Sequence, residues 1–397
     1  MAIVTHVVGD CPGCGEKNSF GNVMIPQGRY LMRGCKKCRF TTEVYLPPVR
    51  KKVLYLDQFI LSGALRGGDE RFVKAVERVT QVCSLQLLIA PYSSVHVEEA
   101  HQWREHESLM SFIKKSARGS EFNHALDVES TQIYTAFSAF LKEEPSGFVL
   151  RQNDAIQGDI DAWDDYFYLD VGKYSGDIDE IRRLKGVAVT LLVDAFDGWQ
   201  ASENSFEQNL DLELSDAGKP YIDSYLDFVR RLANGDYAAM MDAPATSTVV
   251  EGMMNFLSDE IPFWDRISIC RSFFASEHFA RVPTIDLSVK MFATLKSMVK
   301  RGAYANRTSA LKRLSGVFYD IKHISTYAPY CDAFFMDNAM AELVKQPTVG
   351  LEERYGTKVF SANNLDEFLA WLDELEGHID EEHLSAVKTA YPRLQLR

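Results

Sequence analysis

The chain has 397 residues, 46% of them hydrophobic, and 43 Lys and Arg against 56 Asp and Glu give a formal net charge of −13. At roughly one domain per ~150 residues the length predicts two or three domains, and the acidic balance excludes a surface uniformly coated in cations for non-specific nucleic-acid binding. Residues 1–10 lack the basic start and apolar core of an export signal, and the most apolar run, 186–193, is far short of the ~20 residues a bilayer needs. A cytoplasmic location is therefore expected.

Two Cys-x-x-Cys pairs come first, Cys11-Pro-Gly-Cys14 and Cys35-Lys-Lys-Cys38, with 20 residues between them. That is the spacing of a four-thiolate tetrahedral site, and the pattern predicts a zinc ribbon over residues 1–46. Gly13, Gly15 and Gly34 suit the tight turns, while Val23-Met24-Ile25 and Tyr30-Leu31-Met32 can pair as short strands. Four thiolates leave no open position on the ion, so this zinc is expected to be structural. Cys83, Cys270 and Cys331 are scattered among apolar residues and are expected as buried free thiols.

The ribbon's flank is basic: Arg29, Arg33, Lys36, Lys37, Arg39, Arg50, Lys51 and Lys52 face the single acid Glu43. Arg29, Arg33, Lys36, Lys37 and Arg39 are candidate nucleic-acid contacts. Leu46-Pro47-Pro48-Val49 reads as a stiff linker, beyond which a new domain begins.

Val53-Leu54-Tyr55-Leu56 is a short apolar run ending at Asp57, as a buried parallel strand would, and Leu87-Leu88-Ile89-Ala90 is a second. Ser94 is a plausible N-cap for the helix carrying Glu98 and Glu99. Residues 101–312 show helical periodicity around 103–117, 122–142, 178–200, 220–233 and 263–280. A further helix is expected from Thr284 as N-cap to Arg301. Its end opens an acid-free basic stretch holding Lys296, Lys300, Arg301, Arg307, Lys312 and Arg313, candidates for phosphate contact. An acidic tract holding Asp154, Asp159, Asp161, Asp164, Asp165, Asp170, Asp177, Asp179 and Glu180 reads as a solvated or partner-facing surface.

Strands return at Cys331–Met336, closed by Asp337, and at Lys358–Phe360, before an amphipathic helix with Leu365, Phe368, Leu369, Leu372 and Leu375 on one face. Asp320 opens a helix with His323 on the same side, and Asp332 precedes the third strand. Residues 379–397 read as a tail. The fold class expected is α/β: a parallel sheet flanked by helices, in halves 47–100 and 313–378, interrupted by a helical insertion over 101–312.

The order of Val53–Ser62, Ile89–Glu99, Tyr319–His323 and Tyr330–Asn338 resembles the signature of PIN-like nucleases. The resemblance covers about 50 residues near the start and about 65 near the end. It implies that Asp57, Glu99, Asp320 and Asp337 bind magnesium or manganese above the sheet and that RNA is cleaved there. Glu98, Asp332 and His323 are additional candidates. The chemistry agrees, since hard divalent cations gathered by carboxylates activate water and stabilise the leaving oxygen of a phosphodiester. The alternative is a non-catalytic adaptor on a decayed nuclease core, gripping nucleic acid or protein. Arg118…His124 and Arg271…His278 also resemble the Arg…His pairs of metal-independent HEPN ribonucleases, which would use histidine acid/base catalysis.

Overall fold

The structure, a computed structural model, describes residues 2–103, 105–167, 178–242, 244–303 and 316–394. Four antiparallel strands form the ribbon in spatial order β1 (His6–Gly9), β2 (Phe20–Met24), β3 (Tyr30–Cys35) and β4 (Thr41–Tyr45). The period-two alternation buries Leu31 and Cys35 and leaves the cross-strand pair Tyr30 and Tyr45 exposed.

The second sheet is parallel throughout, in the order β6 (Leu88–Ile89), β5 (Lys52–Leu56), β7 (Ala333–Phe335), β8 (Lys358–Phe360). Helices α1 (Gln58–Arg66) and α2 (Glu70–Ser84) lead from β5 to β6, and α3 (Ser94–Ala100) and α4 (His106–Ser116) follow. Because the chain turns one way from β5 to β6 and the other way to β7, the strand order reverses between β5 and β7. In open α/β sheets that switch point is where ligands bind, beyond the carboxyl ends of the strands.

Alternate residues of the strands feed two cores. Leu54, Leu56, Ala333 and Phe335 pack against α1, α2, α4 and α17 (Leu365–Gly377). Val53, Tyr55 and Phe334 pack on the other face, against α5 (Ala125–Leu141), α13 (Pro283–Lys300), α14 (Val317–Tyr327), α15 (Asn338–Val344) and α16 (Leu351–Tyr355). Between α5 and α13 lie α6 (Ile178–Ala201), α7 (Phe206–Ala217), α8 (Lys219–Ala233), α9 (Ala239–Asp242), α10 (Ala245–Met254), α11 (Phe263–Phe274) and α12 (Glu277–Ala280).

The helical middle is not separable from the sheet. α13 gives Ile285 and Val289 to a third, all-helical core and Leu287, Met291 and Leu295 to the core against the sheet, and α5 divides in the same way. The helix read with Thr284 as N-cap begins two residues earlier, with Val282 as N-cap and Pro283 in its first turn. The Thr284 N–H and hydroxyl both donate to Gln132 Oε1, at 2.9 and 2.8 Å, rather than capping. The run 263–280 is two helices, α11 and α12.

Two further expectations are corrected by the ribbon's docking. Residues 379–397 are not simply a tail: they include α18 (Glu381–Ala390), whose Ala386, Val387 and Ala390 pack with Ile25, Leu31, Leu46 and Val49. Asn22 Nδ2 donates to the carbonyls of Thr389 and Ala390, at 3.0 and 3.3 Å. Nor is the acidic tract wholly a solvated surface. Asp164 takes Lys51 Nζ at 2.6 Å, Arg118 Nε at 2.8 Å and Gln86 Nε2 at 3.1 Å. Asp161 accepts from Lys51 N–H and Asp165 from Ile25 N–H. The tract's Asp170 and Asp177 lie outside the described residues. Trp163, next to Asp164, donates Nε1–H to the Pro47 carbonyl at 2.7 Å. At Gly28, where φ is +62°, a Cβ would meet Ala162 Cβ at 2.2 Å, so only glycine lets this segment close on the ribbon.

Candidate metal centre and carboxylate site

Each cysteine pair sits on a turn that points backbone N–H groups at sulfur. Gly13 N–H donates to Cys11 Sγ at 3.3 Å, Lys37 N–H to Cys35 Sγ at 3.2 Å and Phe40 N–H to Cys38 Sγ at 3.5 Å. The Ser19 hydroxyl lies 3.3 Å from Cys35 Sγ. It is the main influence drawing the Cys35 thiol down to about 6, with the Lys37 and Cys38 N–H groups helping against burial. Cys11 and Cys38 sulfurs are 3.7 Å apart and Cys14 and Cys35 sulfurs 3.9 Å, and all four lie within 4.8 Å of one another. A tetrahedral ion with metal–sulfur bonds of about 2.3 Å requires sulfurs about 3.8 Å apart. The quartet therefore fits a metal ion such as zinc, held on all sides by protein.

The second constellation stands at the switch point. Asp57 follows β5 and caps α1, accepting from Phe59 N–H at 3.1 Å. Asp337 follows β7 and caps α15, accepting from Ala339 and Met340 N–H at 2.7 and 3.0 Å. The register Leu56↔Phe335 sets the two aspartates at the carboxyl ends of adjacent strands. Burial, then the charge of Glu99, then that of Asp337 raise the Asp57 carboxyl from 3.8 to about 7, against the opposing Phe59 N–H. Glu99 and Asp337, two of the other expected carboxylates, thus both act on Asp57.

A buried histidine that the sequence reading did not single out fixes the start of α3, the helix that carries Glu99, against β5. His96 lies on α3, 1% exposed, with Nε2 2.7 Å from the Leu56 carbonyl and Nδ1 3.0 Å from both the N–H and the hydroxyl of Ser93. A carbonyl only accepts, so Nε2 carries the proton and Nδ1 accepts from Ser93; Tyr55 hydroxyl, 3.1 Å away, then donates to Ser93 Oγ. Burial lowers His96 to about 4, which keeps the ring neutral and this directed chain intact. Ser93 is the N-cap of α3, and Ser94 its first helical residue. The signal was legible in principle, because a histidine three residues after a serine closes a capping box here.

The remaining candidates separate. Glu98, about 100° around α3 from Glu99, adds to burial in raising the Tyr319 and Tyr327 hydroxyls on α14. Asp320, in the first turn of α14, is not among the main charges on Asp57; its Oδ2 lies 3.1 Å from where a Cβ on Gly316 would be. His323 is buried on the same helix. Asp332 stands at the opposite end of β7, five residues or roughly 16 Å from Asp337. It binds Lys52 Nζ at 2.7 Å and Val53 N–H at 2.8 Å, so its role is to join β7 to β5.

Among the described residues, the cysteine quartet alone brings three or more metal-ligating groups within 4.8 Å of one another. Glu99 and Asp337 act on Asp57 from a wider spacing. Their donor set nonetheless suits a hard cation, since it is all oxygen. Beside Asp57, Gln58 is 6% exposed and its Oε1 has no hydrogen-bond partner among the described residues, a buried acceptor whose desolvation nothing offsets.

Of the expected phosphate contacts, Arg29, Lys36, Lys37 and Arg39 are exposed on the ribbon, while Arg33 Nε is bound to Asn22 Oδ1 at 3.0 Å. Lys300 donates to the Asn204 carbonyl and Arg301 to that of Ser297, and Lys296 pairs with Glu213. Arg307, Lys312 and Arg313 lie outside the described residues. Arg118 is tied to Asp164, His124 caps α5, and His278 reaches the Glu144 carbonyl, so these groups serve the fold. No described helix is long and apolar enough to cross a membrane. Comparison with known families, curated proteins and solved structures finds no match to this chain.

Proposed function

We propose that the protein is a metal-dependent nuclease of the PIN-like kind, acting in the cytoplasm on RNA, with its zinc ribbon helping to hold the substrate. The observation that carries this reading is Asp57, raised to about 7 by burial and by Glu99 and Asp337 at the strand switch point. Mutual repulsion is costly to fold around, and a cation offsets it. Asp57, Glu99 and Asp337 would hold magnesium or manganese, with Asp320 closing in from α14. Gln58 Oε1 offers one further oxygen. The cation supplies Lewis-acid charge for phosphodiester hydrolysis. The backbone N–H groups that cap onto Asp57 and Asp337 fix the two carboxylates in orientation, and the His96 chain sets α3, and so Glu99, against β5.

A second reading, a binding adaptor without catalysis, is favoured by the wider carboxylate spacing and by the use of both aspartates as helix caps. One assay separates the two. Purified protein with Mg²⁺ or Mn²⁺ should cut single-stranded RNA, EDTA should stop it, and Asp57→Asn should slow it at least about 100-fold. Equal cleavage by Asp57→Asn, or cleavage indifferent to EDTA, sinks the assignment; RNA binding with no cleavage under any metal favours the adaptor.

A further inference from the structure

The ribbon's outer face carries an exposed pair of aromatic rings. Tyr30 and Tyr45 stand opposite each other on β3 and β4, 44% and 65% exposed, with ring centroids 6.1 Å apart and planes at 64°. Burying such rings is worth more than leaving them in water, so an exposed aromatic pair invites a flat partner. Cations stand at both ends of the same hairpin: Arg29 directly precedes Tyr30, and Lys36, Lys37 and Arg39 occupy the cysteine knuckle at the far end. These four residues form no ion pair among the described residues, whereas Lys51 and Lys52 are spent on Asp164 and Asp332. In a chain of net charge −13, these positive charges are exposed on the hairpin that carries the rings, Arg29 next to Tyr30 and the others at its far end.

We infer that this face is a stacking platform for single-stranded nucleic acid, RNA on the reading above, in which bases lie on Tyr30 and Tyr45 and the phosphates run between Arg29 and the knuckle cations. Aromatic rings between cations are how sequence-tolerant single-strand binders work, because every base offers a π-face while a duplex hides its own. Glu43, opposite Met32 on the same face, accepts from base amino groups and repels phosphate, which keeps the backbone at the hairpin's ends. This deepens the proposed function, resting on its nucleic-acid part and not on cleavage.

The test uses the full zinc-loaded chain carrying Asp57→Asn, so that RNA stays uncut, with fluorescein-labelled oligouridylate of about 12 nucleotides and a duplex of the same length as probes. Tyr30→Ala with Tyr45→Ala should weaken single-strand binding at least about tenfold, while the Tyr→Phe pair restores it. The dependence of log Kd on log salt should be unchanged by the tyrosine variants. It should flatten by about 2 when Lys36, Lys37 and Arg39 become Gln. Zinc content and Tm equal to the parent's establish that the variants fold. Parent-like affinity in the double-alanine variant overturns the platform, as does a parent that binds duplex as tightly as single strand. Failure of the parent to bind any RNA also overturns it and leaves the apolar face to a protein partner. Because cleavage is not read, an inactive wild type would sink the nuclease and spare the platform.

Discussion

The cysteine quartet and the carboxylate edge both gather groups that repel one another when ionised, yet they do so by different means. The quartet is built from two turns of a few residues each, and its sulfurs lie 3.7 and 3.9 Å apart across the pairs. The carboxylates come from positions 57, 99 and 337, and only the parallel register and the His96 chain bring them near one another. Local turns can prefabricate a metal site, whereas a site assembled from distant strands is only as close as the whole scaffold makes it. The first should therefore fail locally when its ligand is lost, and the second should respond to remote changes.

The largest effect is expected at the quartet. Cys35→Ser should take bound zinc from one equivalent to near zero by elemental analysis and unfold the ribbon, since structural four-ligand sites hold about 10–16 kcal/mol in isolated fingers. Retained zinc with a folded ribbon would mean that three thiolates suffice. Next comes the clasp between ribbon and body. Asp164→Ala strands Lys51, 6% exposed, and Arg118 without their carboxylate, which should cost about 3–5 kcal/mol in denaturant unfolding. Zinc should remain bound while the 46–49 linker becomes open to protease. A cost below about 1 kcal/mol would show the clasp to be dispensable.

The smallest effect is a pH slope that two residues hide from each other. Folded Asp57 keeps a proton up to about 7 that the unfolded carboxyl loses near 3.8, so its contribution weakens stability as pH rises across that window. Folded His96 refuses, down to about 4, a proton that the unfolded ring accepts below 6.5, so its contribution weakens stability as pH falls. Between about 4 and 6.5 the two oppose each other. Asp57→Asn should expose the histidine alone, as a loss of up to about 1.4 kcal/mol per pH unit on acidification. It should also raise Tm above pH 7 in the absence of metal. A variant whose pH profile matches the parent's would place the shifted charge elsewhere.

What the sequence discloses follows the same division. The cysteines were legible because their spacing is itself the geometry, and Asp57 and Asp337 because a short apolar run ending in aspartate marks both a strand end and the cap of the next helix. The tract around Asp164 was misread because charge density says nothing of burial: Asp161, Asp164 and Asp165 answer Lys51, Arg118 and backbone N–H groups far along the chain. α18 was missed because its docking face is largely small residues, Ala386, Val387 and Ala390, which leave a weak apolar stripe. The helical middle was recognised as helix, but its sharing of α5 and α13 with the sheet is a matter of packing that periodicity does not report.

The hydrogen bonds from Asn22 to the carbonyls of Thr389 and Ala390 join positions 367 and 368 residues apart. During synthesis the cysteine turns can close as soon as residue 38 is free, but their resting place is built in two stages, first by residues 161–165 and then by α18. Until α18 is made, the ribbon is held by the 46–49 linker and by its contacts with residues 161–165. α18 then completes the seat with its two carbonyls on Asn22.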